Sequence, residues 1–299
     1  VVVDDGSRDG SHAVAEAMGA RCLRLPAQRG PAHARNRGAE LARGDVLFFV
    51  DADVALCPDA VGQVTEAFRA EPGLAAVFGS YDDAPAAPNF LSQYKNLLHH
   101  FVHQNSTEAA WTFWAGCGAV RRDVFAAVGG FDEKYLRPSI EDIELGDRLR
   151  RQGHEIRLRK TLQGKHLKRW TPVSLLRADI RDRALPWAAL LATQGQVAND
   201  LNLRWSSRIS AVAAGALVVA IASAWLWPVV WLVAAALAAL LVVLNLPLYA
   251  FFRRKRGLGF ALGCLPWHWL YFLYSGAVFA LVYGIRLRPR AGGGGGARA

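Results

Sequence analysis

Four cysteines in 299 residues, Cys22, Cys57, Cys117 and Cys264, are too few and too scattered for a disulfide framework, and none stands at a metal-ligand spacing that would make a zinc site. They are compatible with a reducing compartment. Methionine is nearly missing: the chain has one, and it is not the first residue. No basic-then-apolar leader opens the sequence. It begins Val1-Val2-Val3-Asp4-Asp5, already inside what reads as a strand, and is expected to be an N-terminally truncated fragment. No Gly-x-Gly-x-x-Gly follows a strand-like run, which disfavours a dinucleotide-dependent oxidoreductase. Acidic residues are absent from the last third. The final one is Asp200, whereas ten of the 35 basic residues lie beyond it. The first 200 residues therefore carry 25 acidic and 25 basic side chains and are formally neutral. The net charge of +10 belongs to positions flanking apolar segments, which suits anionic lipid head groups and makes nucleic acid the weaker reading.

Between Ile209 and Phe252 there is no Asp, Glu, Lys, Arg or His. Residues 209–227 and 229–252 are 19 and 24 long, with Pro228 between them. Each is long enough to cross a hydrocarbon core of about 30 Å, so a helical hairpin is expected. Residues 258–285 form a third apolar stretch, interrupted by Pro266 and His268. Trp267, Trp269, Tyr271 and Tyr274 crowd its first half, which is expected to lie in the interface while the second half spans. His268 is expected to be interfacial as well. The basic run Arg253 to Arg256 places the loop after the hairpin in the cytoplasm. A third full crossing would put Arg286, Arg288 and Arg290 outside, against the same rule, so the topology beyond the hairpin stays open. Upstream, Val173, Leu176, Ile180, Ala184, Trp187 and Leu191 recur at helical spacing. That pattern fits an amphipathic helix on the membrane and equally an ordinary packed helix.

Residues 1–160 alternate short apolar runs with helical patterns. Strands are expected at 1–3, 22–25, 45–50 and 75–78, and helices at 11–18, 31–42 and 59–70. Beyond them come a helix at 89–104, a strand within 111–120 and helices at 122–128 and 141–152. This rhythm predicts an α/β fold with a mostly parallel sheet. Three acidic sites punctuate it. Asp4-Asp5 follows the first strand, Asp51 and Asp53 follow the run Val46-Leu47-Phe48-Phe49-Val50, and Glu141-Asp142 opens a helix. Open sheets place ligands beyond the carboxyl ends of their strands. Two acids one residue apart there can present oxygens to a hard divalent cation, which can bridge to a nucleotide diphosphate.

These strings have a family likeness. Val2-Val3-Asp4-Asp5-Gly6-Ser7-Arg8-Asp9-Gly10-Ser11 resembles the nucleotide-binding opening of the inverting family 2 glycosyltransferases, which have the A-type (GT-A) fold. Ala34-Arg35-Asn36-Arg37-Gly38-Ala39, then Gly44-Asp45 through Asp51-Ala52-Asp53, resembles that family's helix and metal strand. Gly129-Gly130-Phe131-Asp132-Glu133, then Glu141-Asp142, resembles its acceptor loop and catalytic-base motif. The likeness covers roughly residues 1–170 in order, and the family's own first strand would lie upstream. It implies that Asp5, with Asp4, bonds the base or ribose of a nucleotide-sugar and that Arg35 helps hold the donor. It implies a divalent cofactor, Mn2+ or Mg2+, held by Asp51 and Asp53, with Asp53 the closer. It makes Asp142 the general base, with Glu141 beside it in the substrate site.

Lys165-His166-Leu167-Lys168-Arg169-Trp170 follows. Processive polysaccharide synthases of this family carry Gln-x-x-Arg-Trp here, and His166 stands where Gln would. The expected roles are metal or diphosphate contact for His166, diphosphate contact for Arg169 and sugar stacking for Trp170, against a basic juxtamembrane stretch for Lys165 and Lys168. His99, His100 and His103 read as half-exposed helix residues or acceptor-channel lining rather than a metal cluster, and Cys117 as a packed residue. The expected organisation is a catalytic domain over 1–170, an interfacial connection over 171–207, a membrane region of two to three helices over 208–285 and a flexible basic Gly-rich tail over 286–299. The implied protein is a membrane-anchored transferase moving a sugar from a nucleotide-sugar to a lipid-linked or glycan acceptor in envelope synthesis. Its catalytic face is expected in the cytoplasm at a bacterial inner membrane. A non-catalytic membrane scaffold and a processive polysaccharide synthase are the alternatives.

Overall fold

The computed structural model describes residues 1–194 and 204–287. Residues 195–203 of the expected connection and 288–299 of the expected tail lie outside them. Strand β1 (Val2–Asp4) is followed by α1 (Ser11–Ala17), β2 (Cys22–Arg24), α2 (Pro31–Leu41), β3 (Val46–Val50), β4 (Val54–Leu56), α3 (Ala60–Ala70) and β5 (Leu74–Tyr81). Next come α4 (Phe90–Gln104), β6 (Cys117–Arg121), α5 (Arg122–Ala127), α6 (Glu141–Arg151) and β7 (Glu155–His166).

The sheet is mixed. Strands β1 and β2 pair in parallel as a separate two-stranded ladder. The other five run in the order β3-β6-β5-β7-β4, with β5 and β7 parallel and the remaining pairs antiparallel. The helix-period segments cover both faces, as an α/β layer requires. On one face Phe78, Phe113, Phe131, Leu145, Leu149 and Leu158 pack together; on the other, Val64, Phe68, Val77 and Leu162 do. Cys117 sits in the second cluster, fully buried, which accounts for it as a packing residue.

Strand β7 is the longest, at 12 residues, and escaped the sequence reading. Its string Glu-Ile-Arg-Leu-Arg-Lys-Thr-Leu-Gln-Gly-Lys-His looks like a charged run. Yet Ile156, Leu158, Leu162, Gly164 and His166 are its buried positions, all at even spacing, and the interruption between 158 and 162 coincides with a register shift against β5. Strand β7 delivers His166 beside Val54 of β4, next to Asp53.

After β7 come α7 (Pro172–Arg177), a π-helical turn (Ala178–Ala184), α8 (Leu185–Gln194), α9 (Trp205–Ala224), α10 (Val230–Leu244), α11 (Leu246–Arg256) and α12 (Leu258–Leu287). By length and composition, α9 and α12 are each able to cross a membrane. Residues 229–252 do not form one straight span. They bend by 67° at Asn245, between α10 and α11. Pro247, within the first turn of α11, has no N–H to continue the α10 ladder. Asn245 Nδ2 donates instead to Leu241 O at 2.9 Å and to Ser210 Oγ of α9 at 3.0 Å.

Beyond the bend, α11 packs on the α/β layer. Leu248, Tyr249, Phe251 and Phe252 join Tyr94 and Leu97 of α4 and Trp170 in one buried cluster. Arg256 Nε donates to Gln93 Oε1 at 2.8 Å and Lys255 pairs with Asp83, so the end of α11 is fastened to the α/β part. His268, expected at an interface, is buried, with Nδ1 3.0 Å from the Tyr249 hydroxyl. An imidazole without water needs such a partner.

Candidate active site

The acidic sites converge at the carboxyl ends of β1 and β3. Asp5, Arg35 and Asp51 line one cleft there. Arg35, from the second turn of α2, is the hub. Its Nη1 donates to Glu141 Oε1 and its Nη2 to Asp51 Oδ1, both at 2.7 Å. Its side chain is 17% exposed and that of Glu141 is 4% exposed, so the pair is strongly felt. Burial opposes the guanidinium's charge, but Asp51, Glu141 and Asp142 outweigh it and hold Arg35 protonated.

Asp142 lies in the first turn of α6, where the helix dipole favours a negative charge. Its Oδ1 accepts from Ile143 N at 2.8 Å and its Oδ2 from Ala115 N at 3.2 Å. Burial and the neighbouring Glu141 nevertheless push its carboxyl up to about 7, with Arg35 opposing. A carboxylate that titrates near neutrality can both take and return a proton, which is what a general base needs.

Asp53 stands apart from Asp51. Its Oδ2 is 3.6 Å from His166 Nε2 and 4.0 Å from Lys168 Nζ. Burial acts against its ionisation, but the nearby His166 imidazole and Lys168 ammonium keep it below the ordinary range. His166 stacks on Tyr81 at 4.1 Å, with the rings 14° from parallel. The expected metal set of Asp51, Asp53 and His166 is thus divided: Asp53 and His166 face each other, whereas Asp51 is bonded to Arg35. Among the described residues, no three His, Cys, Asp or Glu side chains gather to hold a metal. A carboxylate and an imidazole are still ligand types that a divalent ion such as Mn2+ or Mg2+ would accept.

With this geometry goes a sequence match. Residues 1–129 fit the family described as Glycosyl transferase family 2, and residues 96–169 fit the one described as N-terminal domain of galactosyltransferase. The chain carries a family 2 glycosyltransferase domain. It is similar to an uncharacterized glycosyltransferase of Bacillus subtilis strain 168, at 25% identity over 219 residues, 56% of each chain. It is also similar to a glucosyl-dolichyl phosphate glucuronosyltransferase of Haloferax volcanii, at 29% identity over 122 residues, 39% of each. The chain therefore spans about half or less of the length of these curated relatives. A mannosyltransferase from Pyrobaculum calidifontis, solved with GDP-Man and Mn2+, superposes with a TM-score of 0.51 at 18% identity, over 89% of this chain and 76% of that one. The glycosyltransferase domain has the GT-A-like α/β fold.

Other residues singled out in the sequence of the glycosyltransferase domain fall in different places. Asp5 accepts from the backbone of Arg29 and Gly30, each at 2.8 Å, and so shapes the entrance to α2. Asp4 is buried and turned into its own loop, accepting from Ser7 N at 2.7 Å. Arg169 is exposed. Trp170 is 3% exposed and lies in the cluster with Leu175 and Phe252. Its backbone N–H donates to Ser92 Oγ at 2.7 Å, and Asn89 Nδ2 donates to its carbonyl at 2.8 Å. The expected sugar-stacking face of Trp170 is thus covered, because α4 and α11 close over it. Trp170→Ala is expected to cost about 3–5 kcal/mol, read as a lower melting temperature with donor KM unchanged.

Two of the histidines of α4 meet backbone carbonyls. His100 Nδ1 lies 2.7 Å from Tyr81 O, and His103 Nδ1 lies 3.2 Å from Gly79 O. Burial pushes His103 down to about 4 and keeps His99 neutral as well. His99 instead joins Trp114 and Tyr81 in an aromatic wall beside His166, with centroids 4.6–5.1 Å apart. Gly116 holds that wall in place, since a Cβ there would overlap the Trp114 indole. The sequence reading missed Tyr81 and Trp114. The available signal was their place at strand ends: Tyr81 closes β5, and Trp114 precedes β6, the partner of β3.

Proposed function

We propose that the protein is a metal-dependent, inverting glycosyltransferase that moves a sugar from a nucleotide-sugar to an acceptor hydroxyl presented at a membrane. The observation that carries this reading is Asp142, half-buried beside Glu141 and the Arg35 hub and poised to titrate near 7. In one in-line displacement, the acceptor oxygen bonds to the anomeric carbon, the bond from that carbon to the diphosphate oxygen breaks, and Asp142 takes the hydroxyl proton. Inversion follows from the single attack. Asp53 and His166 would hold a divalent cation, which when bound neutralises charge on the leaving diphosphate. Arg35 fixes Glu141 and Asp51 so that the base keeps its place on α6. The wall of Tyr81, His99 and Trp114 offers apolar faces to a sugar ring. Helices α9 and α12, each long and apolar enough to cross a membrane, support a membrane-borne acceptor, and the reading extends to a cytoplasmic catalytic face at a bacterial inner membrane and a role in envelope glycan synthesis.

The test is nucleoside diphosphate release by the full chain in nanodiscs, across a donor panel, with membrane lipid extract and with Mn2+, Mg2+ or chelator. Release from one donor that chelator abolishes is expected, and Asp53→Ala is expected to remove the metal response. Release that ignores both chelator and Asp53→Ala would refute the metal role. No release or donor binding with any nucleotide-sugar would refute the activity.

A further inference from the structure

The π-helical turn presents two faces, because side chains four or five apart align when hydrogen bonds run from i to i+5. One face carries Asp179 and Arg183, with Arg183 Nη1 3.2 Å from Asp179 Oδ1. Asp179 is buried and accepts from Lys95 Nζ at 2.6 and 2.7 Å and from the Tyr274 hydroxyl of α12 at 2.7 Å. One carboxylate therefore locks the turn to the catalytic layer through α4 and to α12 at once. The other side carries Arg181 and, just before the turn, Arg177 at the end of α7, and both line the same cleft as Asp51 and Arg35. Arg137 lines it too. Its loop is tied to the turn by Ser139 Oγ, which donates to Asp182 O at 2.8 Å.

Arg137, Arg177 and Arg181 differ from the other cations around the site. Arg35 is engaged by Asp51 and Glu141, and Lys168 lies beside Asp53. None of these three arginines has a hydrogen bond or ion pair among the described residues. Three exposed arginines lining one cleft, on a support fixed by a buried carboxylate, are suited to a multiply charged oxyanion. On the reading above, the donor's diphosphate would sit beside Asp53 and His166. Two of the three arginines instead sit on the segment that leads into the membrane-side helices.

We propose that Arg137, Arg177 and Arg181 form a phosphate-binding face that takes the phosphate of a lipid-linked acceptor entering from the membrane. This rests on the transferase reading above and names its acceptor class. The two anion sources, lipid phosphate and donor diphosphate, are separated by binding measurements on the full chain in nanodiscs. The probes are a polyprenyl phosphate, the polyprenol of the same length, UDP and GDP. Wild type is expected to bind the phosphate at least about tenfold more tightly than the alcohol, the size of one charge-assisted contact. In the Arg177→Gln/Arg181→Gln double variant that preference should vanish, with nucleotide affinity and melting temperature kept. The Lys/Lys double variant should restore part of it. Equal binding of the two lipids by wild type would overturn the proposal, and so would loss of UDP or GDP affinity in the Gln/Gln variant. Wild type that discriminates the lipids but binds neither nucleotide keeps the phosphate face and sinks the transferase reading. Binding of nucleotide without discrimination does the reverse.

Discussion

Asp142→Asn is expected to cut turnover by about 10²–10⁴-fold while raising the melting temperature at neutral and alkaline pH. The two effects share one cause. Burial and Glu141 lift the Asp142 carboxyl from its ordinary 3.8 to about 7, so the fold favours the protonated form. The folded state then binds more protons than the unfolded state between those values, and stability falls as pH rises through that window. The contribution is intact below 3.8 and gone above 7. An asparagine carries no charge to desolvate and its carbonyl can still accept from Ala115 N. The melting-temperature gap between variant and wild type should therefore open between these pH values and stay constant above them. Activity needs the ionised base, so wild-type kcat/KM should rise with pH through about 7. A variant that loses activity and stability together would mean that Asp142 is a structural acid. A flat kcat/KM profile across that range would remove it as the base.

Arg35→Ala is expected to damage stability more than any other change near the cleft. It leaves Glu141, 3% exposed, beside Asp142 and Asp51 without a counter-charge. Removing one partner of such a buried pair costs about 3–5 kcal/mol, or roughly 10 °C for a domain of this size. Arg35 also holds the Asp142 carboxyl down, so the acid limb of any residual activity should move to higher pH. Thermal melting and the pH profile of the variant check both. A raised donor KM with an unchanged melting temperature would instead make Arg35 a substrate ligand whose carboxylate contacts are incidental.

The sequence by itself determined the elements and the chemistry available to them. Local periodicity placed α2, α3, α4 and α6 to within a residue or two of their observed ends, because amphipathic spacing is a local property. Composition located the apolar C-terminal third, because the cost of placing a charge in hydrocarbon depends on the residue and not on its neighbours. The motif strings marked Asp53, Asp142 and His166 as candidates. Tertiary structure decided how those residues are shared out. Asp51 and Asp53 are two residues apart, yet one is bonded to Arg35 and the other faces His166, since β3 ends at Val50 and the chain turns through 51–53 before β4, so the same-face rule for alternate strand residues no longer applies. Trp170 was an exposed platform on paper and is a core residue in space, because α4 and α11, distant in sequence, close over it. The break at Asn245 turns a 24-residue apolar run into two helices, the second docked on the catalytic layer, which hydropathy cannot register. Strand β7 and the arginines of the π-helical turn gain their meaning only from long-range pairing. Which charges are left without partners is a property of the assembled cleft, and no window of the sequence contains it.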